Sequence, residues 1–212
     1  DPVAAALVCK SSGADMIVVH LRKDRRHIQD ADLFALCKLK GETHLEISSD
    51  PEMVALAVQA KPGYVCIVPE KPNEVTTEGG LNLNAAAGLE KAVARLKAAG
   101  IEVSLFISAD AVSVRRAKSL GADTVELCTT AYAEAEGKNK QKAELEQLAL
   151  AAYLAHEMGL TVHAGHGLDY HNVHPVARIP HMGALNIGFS IIARSVFVGL
   201  KAAVSEMKQQ LS

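Results

Sequence analysis

The chain has 212 residues, a formal net charge of -2, and an apolar fraction of 49% with only 4% aromatic residues. This length fits one domain with a single core, and so small a net charge argues against nucleic acid as a partner. No apolar run approaches the roughly 18–20 residues of a membrane span. The four cysteines form no CxxC pair, so we expect a single soluble domain over residues 1–212 in the reducing cytoplasm, without zinc.

Short aliphatic runs alternate with segments of helical periodicity along the whole chain. Asp1-Pro2 reads as an N-cap followed by a proline at the first helical position, so the chain opens on a predicted helix over 3–11. The predicted strands are 16–20, 43–47, 64–68, 103–107, 124–128, 161–164 and 184–187. The other predicted helices are 51–60, 85–99, 111–120, 142–158 and 191–210.

This alternation implies right-handed βαβ units and a parallel sheet. Seven strands fit either an open doubly wound sheet or most of an eight-stranded barrel. We favour the barrel because phosphate-type motifs follow the last two strands and no GxGxxG follows an early strand. A barrel chain should open on a strand, and a seven-stranded barrel would expose an unpaired edge. We therefore expect an α/β protein, a (β/α)8 TIM barrel whose first strand and loop lie outside these 212 residues.

A histidine and a basic cluster follow the first predicted strand. His20 ends that strand, and Arg22, Arg25 and Arg26 come soon after it. Active sites of parallel barrels lie at the carboxyl ends of strands, and guanidinium groups suit phosphate. We interpret His20 and Arg22 as functional. The alternative is a solvated charged loop in which Asp24 pairs with a neighbour.

Two carboxylates stand inside predicted strands. Glu46 lies in the second strand and Glu126 in the fifth. Burying a carboxylate is costly unless it is paired, protonated or lining a polar cavity. Both residues are therefore candidates for moving protons or stabilising a developing cation. The alternative is a structural ion pair inside the barrel, and we interpret the nearby His44 as structural.

Glycines flank a histidine at the end of the sixth predicted strand. In Gly165-His166-Gly167 they let the backbone and the imidazole approach a ligand closely, and a histidine can act as acid or base near neutral pH. His163 and His166 together invite a metal interpretation. No acidic third ligand has matching spacing, so we predict that no metal is bound.

Two further segments suggest ligand contacts. Gly188 ends the last strand and opens the last helix, where free backbone N–H groups offer a phosphate site, although an ordinary tight turn would also need glycine. The polar connection 69–81 is long for a loop, which predicts a lid that hinges at Gly79-Gly80. The alternative there is a tolerated insertion.

In combination these segments resemble one family, pyridoxine 5'-phosphate synthase. The similarity includes HLRKDRRH at 20–27, PEK at 69–71, EVTTEGGL at 74–81, VSLFI at 103–107, AGHGL at 164–168, YHNV at 170–173 and LNIG at 185–188. It covers essentially the whole chain in order. The resemblance implies a (β/α)8 barrel, assembled as a homo-octamer, that condenses 1-deoxy-D-xylulose 5-phosphate with 3-amino-2-oxopropyl phosphate. The products are pyridoxine 5'-phosphate, inorganic phosphate and water, and no metal or organic cofactor is expected.

The resemblance also assigns roles to individual residues. It makes His20 and Glu46 proton acceptors. It makes His166 a proton donor and Glu126 a stabiliser of charge. It places Arg22, His27 and Thr76 on the deoxyxylulose phosphate, beneath the closing loop. The backbone N–H groups of Gly167 and Gly188, next to Phe189, would contact the other phosphate.

Three positions depart from the family pattern. Phe189 stands where the family usually has a phosphate-binding histidine, and Cys128 and Thr130 replace a usual histidine and glycine. A second interpretation is therefore a catalytically impaired paralogue that binds phosphorylated metabolites or serves as an assembly partner. A third is a phosphate-binding aldolase or isomerase of the same fold, although no strand end carries the lysine of a Schiff-base aldolase.

Overall fold

The computed structural model describes residues 1–39, 43–70, 79–84 and 88–211. Within these ranges, seven parallel strands form a single sheet. The strands are β1 Ile17–His20, β2 Thr43–Ile47, β3 Tyr64–Ile67, β4 Glu102–Ile107, β5 Thr124–Cys128, β6 Thr161–Gly165 and β7 Met182–Asn186. The helices are α1 Pro2–Ser11, α2 Asp30–Leu36, α3 Pro51–Ala60, α4 Leu89–Ala98, α5 Ala111–Ser119, α6 Thr130–Ala133, α7 Lys138–Glu157, α8 Val173–Ala177, α9 Phe189–Val198 and α10 Leu200–Gln210.

The predicted strands are confirmed, with small shifts at their ends, and the predicted helices need two corrections. The helix predicted over 191–210 is two helices, α9 and α10, because Gly199 lies between them with a φ of 80° that ends the first. The short helices α2, α6 and α8 were not predicted. Residues 85–87 of the helix predicted over 85–99 lie outside the described residues. The observed helix, α4, starts at Leu89.

Aspartates at the helix starts explain where several helices begin. Asp1 Oδ1 accepts hydrogen bonds from the backbone N–H groups of Val3 at 3.0 Å and Ala4 at 3.1 Å. Asp50 caps α3 and Asp110 caps α5 in the same way. Each side chain satisfies backbone donors that have no partner inside the helix.

The strands pair in chain order from β1 to β7, each parallel to the next. Among the described residues no pairing joins β1 to β7, so the sheet is open at that point. The predicted α/β fold of the (β/α)-barrel type is confirmed by seven parallel strands that pair in chain order.

The two faces of the sheet have different chemistry. Side chains such as Leu45, Ile47 and Val65 belong to the main hydrophobic core, which the helices cover. The alternate positions, including Glu46 and Cys66, face the other way because strand side chains alternate. On this face titratable groups such as Glu46 stand beside a small apolar cluster of Cys66, Val68 and Phe106.

None of the helices in the described ranges combines the length and the apolar character needed to cross a membrane.

Candidate active site

Two carboxylates flank His20 at the carboxyl end of β1. His20 Nδ1 lies 3.6 Å from Glu46 Oε2, and His20 Nε2 lies 3.7 Å from Glu70 Oε1. The backbone N–H of Lys23 donates to both oxygens of Glu70 at 3.3 Å. These three side chains are only 11–13% exposed. The predicted site residues His20 and Glu46 thus lie together, and Glu70, at the start of the long connection 69–81, joins them.

Glu126 lies deeper in the barrel, fully buried on β5. Asn186 Nδ2 donates a hydrogen bond of 2.7 Å to its Oε2, and Cys66 Sγ donates to the same oxygen at 3.5 Å. A Cβ on Gly165 would stand 2.5 Å from Glu126 Oε1 and 3.0 Å from the carbonyl oxygen of Asn186, so a larger residue there would displace the Glu126 carboxylate. The contact of Asn186 with Glu126 was not predicted from the sequence, although its position at the end of a strand was an available signal.

Burial gives both carboxyl groups an unusual acidity. It raises the pKa of Glu46 to about 8, with a further contribution from the negative charge of Glu126. Burial raises the pKa of Glu126 to about 7, and the hydrogen bonds from Asn186 and Cys66 oppose that rise. Both groups therefore exchange protons near neutral pH, which is the range in which a general acid or base is most effective.

His166 is held in a constrained turn after β6. Its φ is 78°, a left-handed value that is uncommon for a residue with a side chain. Its ring lies 4.5 Å, centroid to centroid, from the ring of Phe106. Thr129 Oγ1 lies 2.7 Å from the carbonyl oxygen of Gly165 and also contacts that of His166. These contacts fix the turn beside Gly165, and so next to Glu126.

The two predicted phosphate-binding segments are neighbours in space. Ser190, in the first turn of α9, donates a hydrogen bond of 2.9 Å to the carbonyl oxygen of Leu168. Gly167 has a φ of 77°, and a Cβ there would lie 2.6 Å from Cβ of Ala133. An added Cβ at Gly188 would meet nothing within 4 Å, so its backbone faces open space. The turn after β6 and the start of α9 could therefore hold one phosphate between them.

The predicted site for the other phosphate is described in part. Arg22 is 2% exposed, and its Nε lies 3.5 Å from Asp24 Oδ1. The His27 ring stands edge-on to that of His20 at 5.2 Å, and burial lowers the pKa of His27, with a further contribution from the Arg22 charge. A neutral His27 can still donate one hydrogen bond to an anion. Thr76 lies outside the described residues, as does most of the predicted lid.

The other two arginines of the basic cluster are paired with carboxylates. Arg25 Nε lies 2.6 Å from Asp30 Oδ1, and Arg26 Nη2 lies 2.5 Å from Asp24 Oδ2. This pairing matches the alternative interpretation of a charged loop in which Asp24 contacts a neighbour.

The chain has parallel strands that alternate with helices, and its proton-exchanging side chains lie near the carboxyl ends of those strands. These two features define an enzyme of the (β/α)-barrel class. Residues 1–212 match the family model described as "Pyridoxal phosphate biosynthesis protein PdxJ", and the chain belongs to that family.

Two curated relatives illustrate the match, and both are named pyridoxine 5'-phosphate synthase. The relative from Elusimicrobium minutum is 53% identical, and the alignment covers 99% of this chain and 88% of the relative. The relative from Photobacterium profundum is 50% identical, with coverage of 100% and 88%. The family predicted from the sequence motifs is confirmed.

Solved structures of other families share the fold. A 4-hydroxy-2-oxoglutarate/2-dehydro-3-deoxyphosphogluconate aldolase from TTHB1 superposes with a TM-score of 0.71 at 18% identity, covering 100% of this chain and 88% of the aldolase. Phosphoribosyl anthranilate isomerase from Thermus thermophilus superposes with a TM-score of 0.66 at 15% identity, covering 99% and 93%. At these identities the likeness concerns the fold alone.

Proposed function

We propose that this chain catalyses the pyridoxine 5'-phosphate synthase reaction. It would condense 1-deoxy-D-xylulose 5-phosphate with 3-amino-2-oxopropyl phosphate into pyridoxine 5'-phosphate, inorganic phosphate and water. The observation that carries the proposal is the pair of buried carboxyl groups, Glu46 and Glu126, whose pKa values of about 8 and about 7 let both exchange protons near neutral pH. Imine formation, phosphate loss, water addition and an aldol-type step all need such proton transfers.

In this proposal His20 and Glu46 accept protons. Their side chains lie 3.6 Å apart, close enough for a proton to pass between them after a small movement or through the substrate. Glu70, 3.7 Å from the other ring nitrogen, would hold the imidazole in place and stabilise its protonated form. His166 would donate a proton from the turn that follows β6.

Glu126 would stabilise the positive charge of an iminium intermediate. At neutral pH its raised pKa keeps a substantial fraction of this carboxyl group protonated. A cation that forms beside it would favour its ionised form, because an opposite charge in a buried site lowers the pKa of a carboxyl group. Asn186 already donates a hydrogen bond to the oxygen that would carry the charge.

The substrates would be held by their phosphates at two places. Arg22, His27 and Thr76 would bind the deoxyxylulose phosphate near β1, with the loop 69–81 as a lid. The backbone N–H groups of Gly167 and Gly188 would bind the phosphate of the amino substrate. The open space around Gly188 and the start of α9 support this assignment.

The direct test mixes the purified chain with both phosphorylated substrates and follows pyridoxine 5'-phosphate by absorbance and chromatography. We expect product, which His20→Gln should reduce by about 100-fold or more. His156→Gln, an exposed histidine on α7, is the matched control and should retain turnover. Absence of product from the folded chain would contradict the proposal. Because side chains carry the proton transfers, activity should also survive treatment with a chelator.

A second candidate function is the binding of phosphorylated metabolites without turnover. Phe189 favours it, because this residue at the start of α9 is 84% exposed and its ring offers no hydrogen-bond donor to a phosphate. Calorimetry with each substrate alone, together with absence of product, would support this candidate. Product formed by Phe189→His but not by the parent chain would show that this single position impairs the enzyme.

We also propose that the chain is one domain that assembles as a homo-octamer in the cytoplasm. Four large apolar side chains on α9 support assembly because they are 58–84% exposed: Phe189, Ile192, Val196 and Phe197. The four free cysteines fit a reducing compartment. Light scattering on the purified chain would measure the oligomer, and a monomer at all concentrations would contradict the assembly.

A further inference from the structure

Three buried side chains from different strands converge inside the barrel. Within the described part of the chain, one ligand atom each from His44 on β2, Cys66 on β3 and Glu126 on β5 lie within 4.8 Å of one another. All three side chains are 0% exposed. Because the residues are far apart in sequence, their spacing gave no sign of this cluster.

The spacing of two of these atoms fits a tetrahedral metal ion. Cys66 Sγ and Glu126 Oε2 lie 3.5 Å apart. A zinc ion with a sulfur ligand at about 2.3 Å and an oxygen ligand at about 2.0 Å holds those two ligands roughly 3.5 Å apart when its geometry is tetrahedral. Little rearrangement would therefore be needed for both atoms to bind one ion.

The cluster also contains polar atoms without partners. Among the described residues, neither ring nitrogen of His44 has a hydrogen-bond partner, and neither does Glu126 Oε1. Burying such atoms unpaired is costly, so an unpartnered imidazole in a protein interior calls for a ligand. A thiolate, an imidazole and a carboxylate form a donor set that suits zinc and its neighbours in the transition series. The thiolate and carboxylate would balance the charge of a divalent ion.

We propose that His44, Cys66 and Glu126 form a binding site for a divalent transition-metal ion of the zinc or cobalt type. The ion would take the place of the protons on Cys66 and Glu126, and it would not be needed for turnover. Because Glu126 also belongs to the proposed catalytic centre, a bound ion would inhibit the reaction. That consequence rests on the proposed function, whereas the binding itself does not.

The test is a cobalt titration of the whole chelator-treated protein, followed by absorbance. We expect a thiolate-to-cobalt charge-transfer band that saturates at a single equivalent and disappears when zinc is added. Cys66→Ser should lose the band. Cys37→Ser, which changes a partly buried cysteine outside the cluster, should keep it. His44→Gln should weaken cobalt binding by more than about tenfold, since even outer-shell changes cost that much.

Circular dichroism of each variant separates loss of the site from loss of the fold. If Cys66→Ser unfolds, folded His44→Gln decides the question through its cobalt affinity. Absence of the band in the parent chain, or a band unchanged in folded Cys66→Ser, would overturn the proposal. Turnover of the chelator-treated parent, measured before any cobalt is added, keeps the two proposals apart. Cobalt binding by a chain that makes no product in the metal-free form would support the metal site alone, and product from a chain that binds no cobalt would support the enzyme alone.

Discussion

The barrel interior holds two pairs of buried titratable residues that respond to burial in opposite ways. Burial raises the pKa of the acid pair, Glu46 and Glu126, to about 8 and about 7. It lowers the pKa of the histidine pair, His44 and His163, to about 3 and about 4. The same desolvation favours the neutral form in both cases. Of these two pairs, only the acids therefore have pKa values near neutral pH. The acids are thus better suited than His44 and His163 to exchange protons during turnover.

The largest expected effect comes from removing the titratable group of Glu46. Glu46→Gln keeps the shape of the side chain and a hydrogen-bonding capacity but cannot accept a proton. We expect kcat to fall by about 10²- to 10⁴-fold, the usual contribution of general acid–base catalysis, while the fold is retained. Steady-state kinetics and circular dichroism measure both quantities.

The matched control for that variant is Glu146→Gln on α7, whose side chain is 65% exposed and contacts Lys142. It should leave kcat within about twofold of the parent, because surface changes of this kind have little effect. Near-normal turnover by Glu46→Gln would remove Glu46 from the proton-transfer role.

Opposite pH dependences of stability should follow from the two pairs. Between pH 4.5 and about 8 the folded chain keeps a proton on Glu46 that the unfolded chain has lost, so Glu46 lowers stability as pH rises through that window. Between pH 6.5 and about 3 the folded chain keeps His44 neutral while the unfolded chain binds a proton, so His44 lowers stability as pH falls.

Urea unfolding of two variants tests those slopes. Compared with the parent chain, Glu46→Gln should gain on the order of a few kcal/mol of unfolding free energy between about pH 5 and about pH 8. His44→Gln should show a difference of the opposite sign, with its relative gain at the acid end. Parallel pH profiles for the two variants and the parent would contradict the opposition between the pairs.

Asn186 distinguishes the two acids, because it donates a hydrogen bond of 2.7 Å to Glu126. That bond lowers the pKa of Glu126, so Asn186→Ala should raise it and move the limb of the pH–activity profile that reports its ionisation to higher pH. A hydrogen bond to a charged group contributes about 1.5–3 kcal/mol, so we expect turnover at neutral pH to fall by roughly tenfold or more. An unchanged pH profile with reduced stability would mean that Asn186 has a structural role only.

The sequence predicted the strands well because continuous aliphatic runs define them, and it predicted His20, Glu46 and Glu126 because polar residues in such runs stand out. Contacts between distant strands were not predictable from it. The hydrogen bond from Asn186 to Glu126 and the cluster around Cys66 depend on which side chains meet inside the barrel. Local pattern also failed at α2, where the seven residues DADLFAL form a helix after the basic loop, because so short a segment shows little helical periodicity. A single glycine at 199 was too weak a signal to divide the last helix.

The smallest expected effect concerns the coupling within the histidine pair. The rings of His44 and His163 lie 5.9 Å apart, and the charge of a protonated His163 adds to the burial that lowers the pKa of His44. His163→Gln should therefore raise the pKa of His44, while burial keeps it below its ordinary value. Turnover should stay within a fewfold of the parent, because neither histidine exchanges protons at neutral pH. Nuclear magnetic resonance titration of the His44 ring measures the shift. If its pKa did not move, burial alone would account for the neutral histidines, and the two rings would titrate independently.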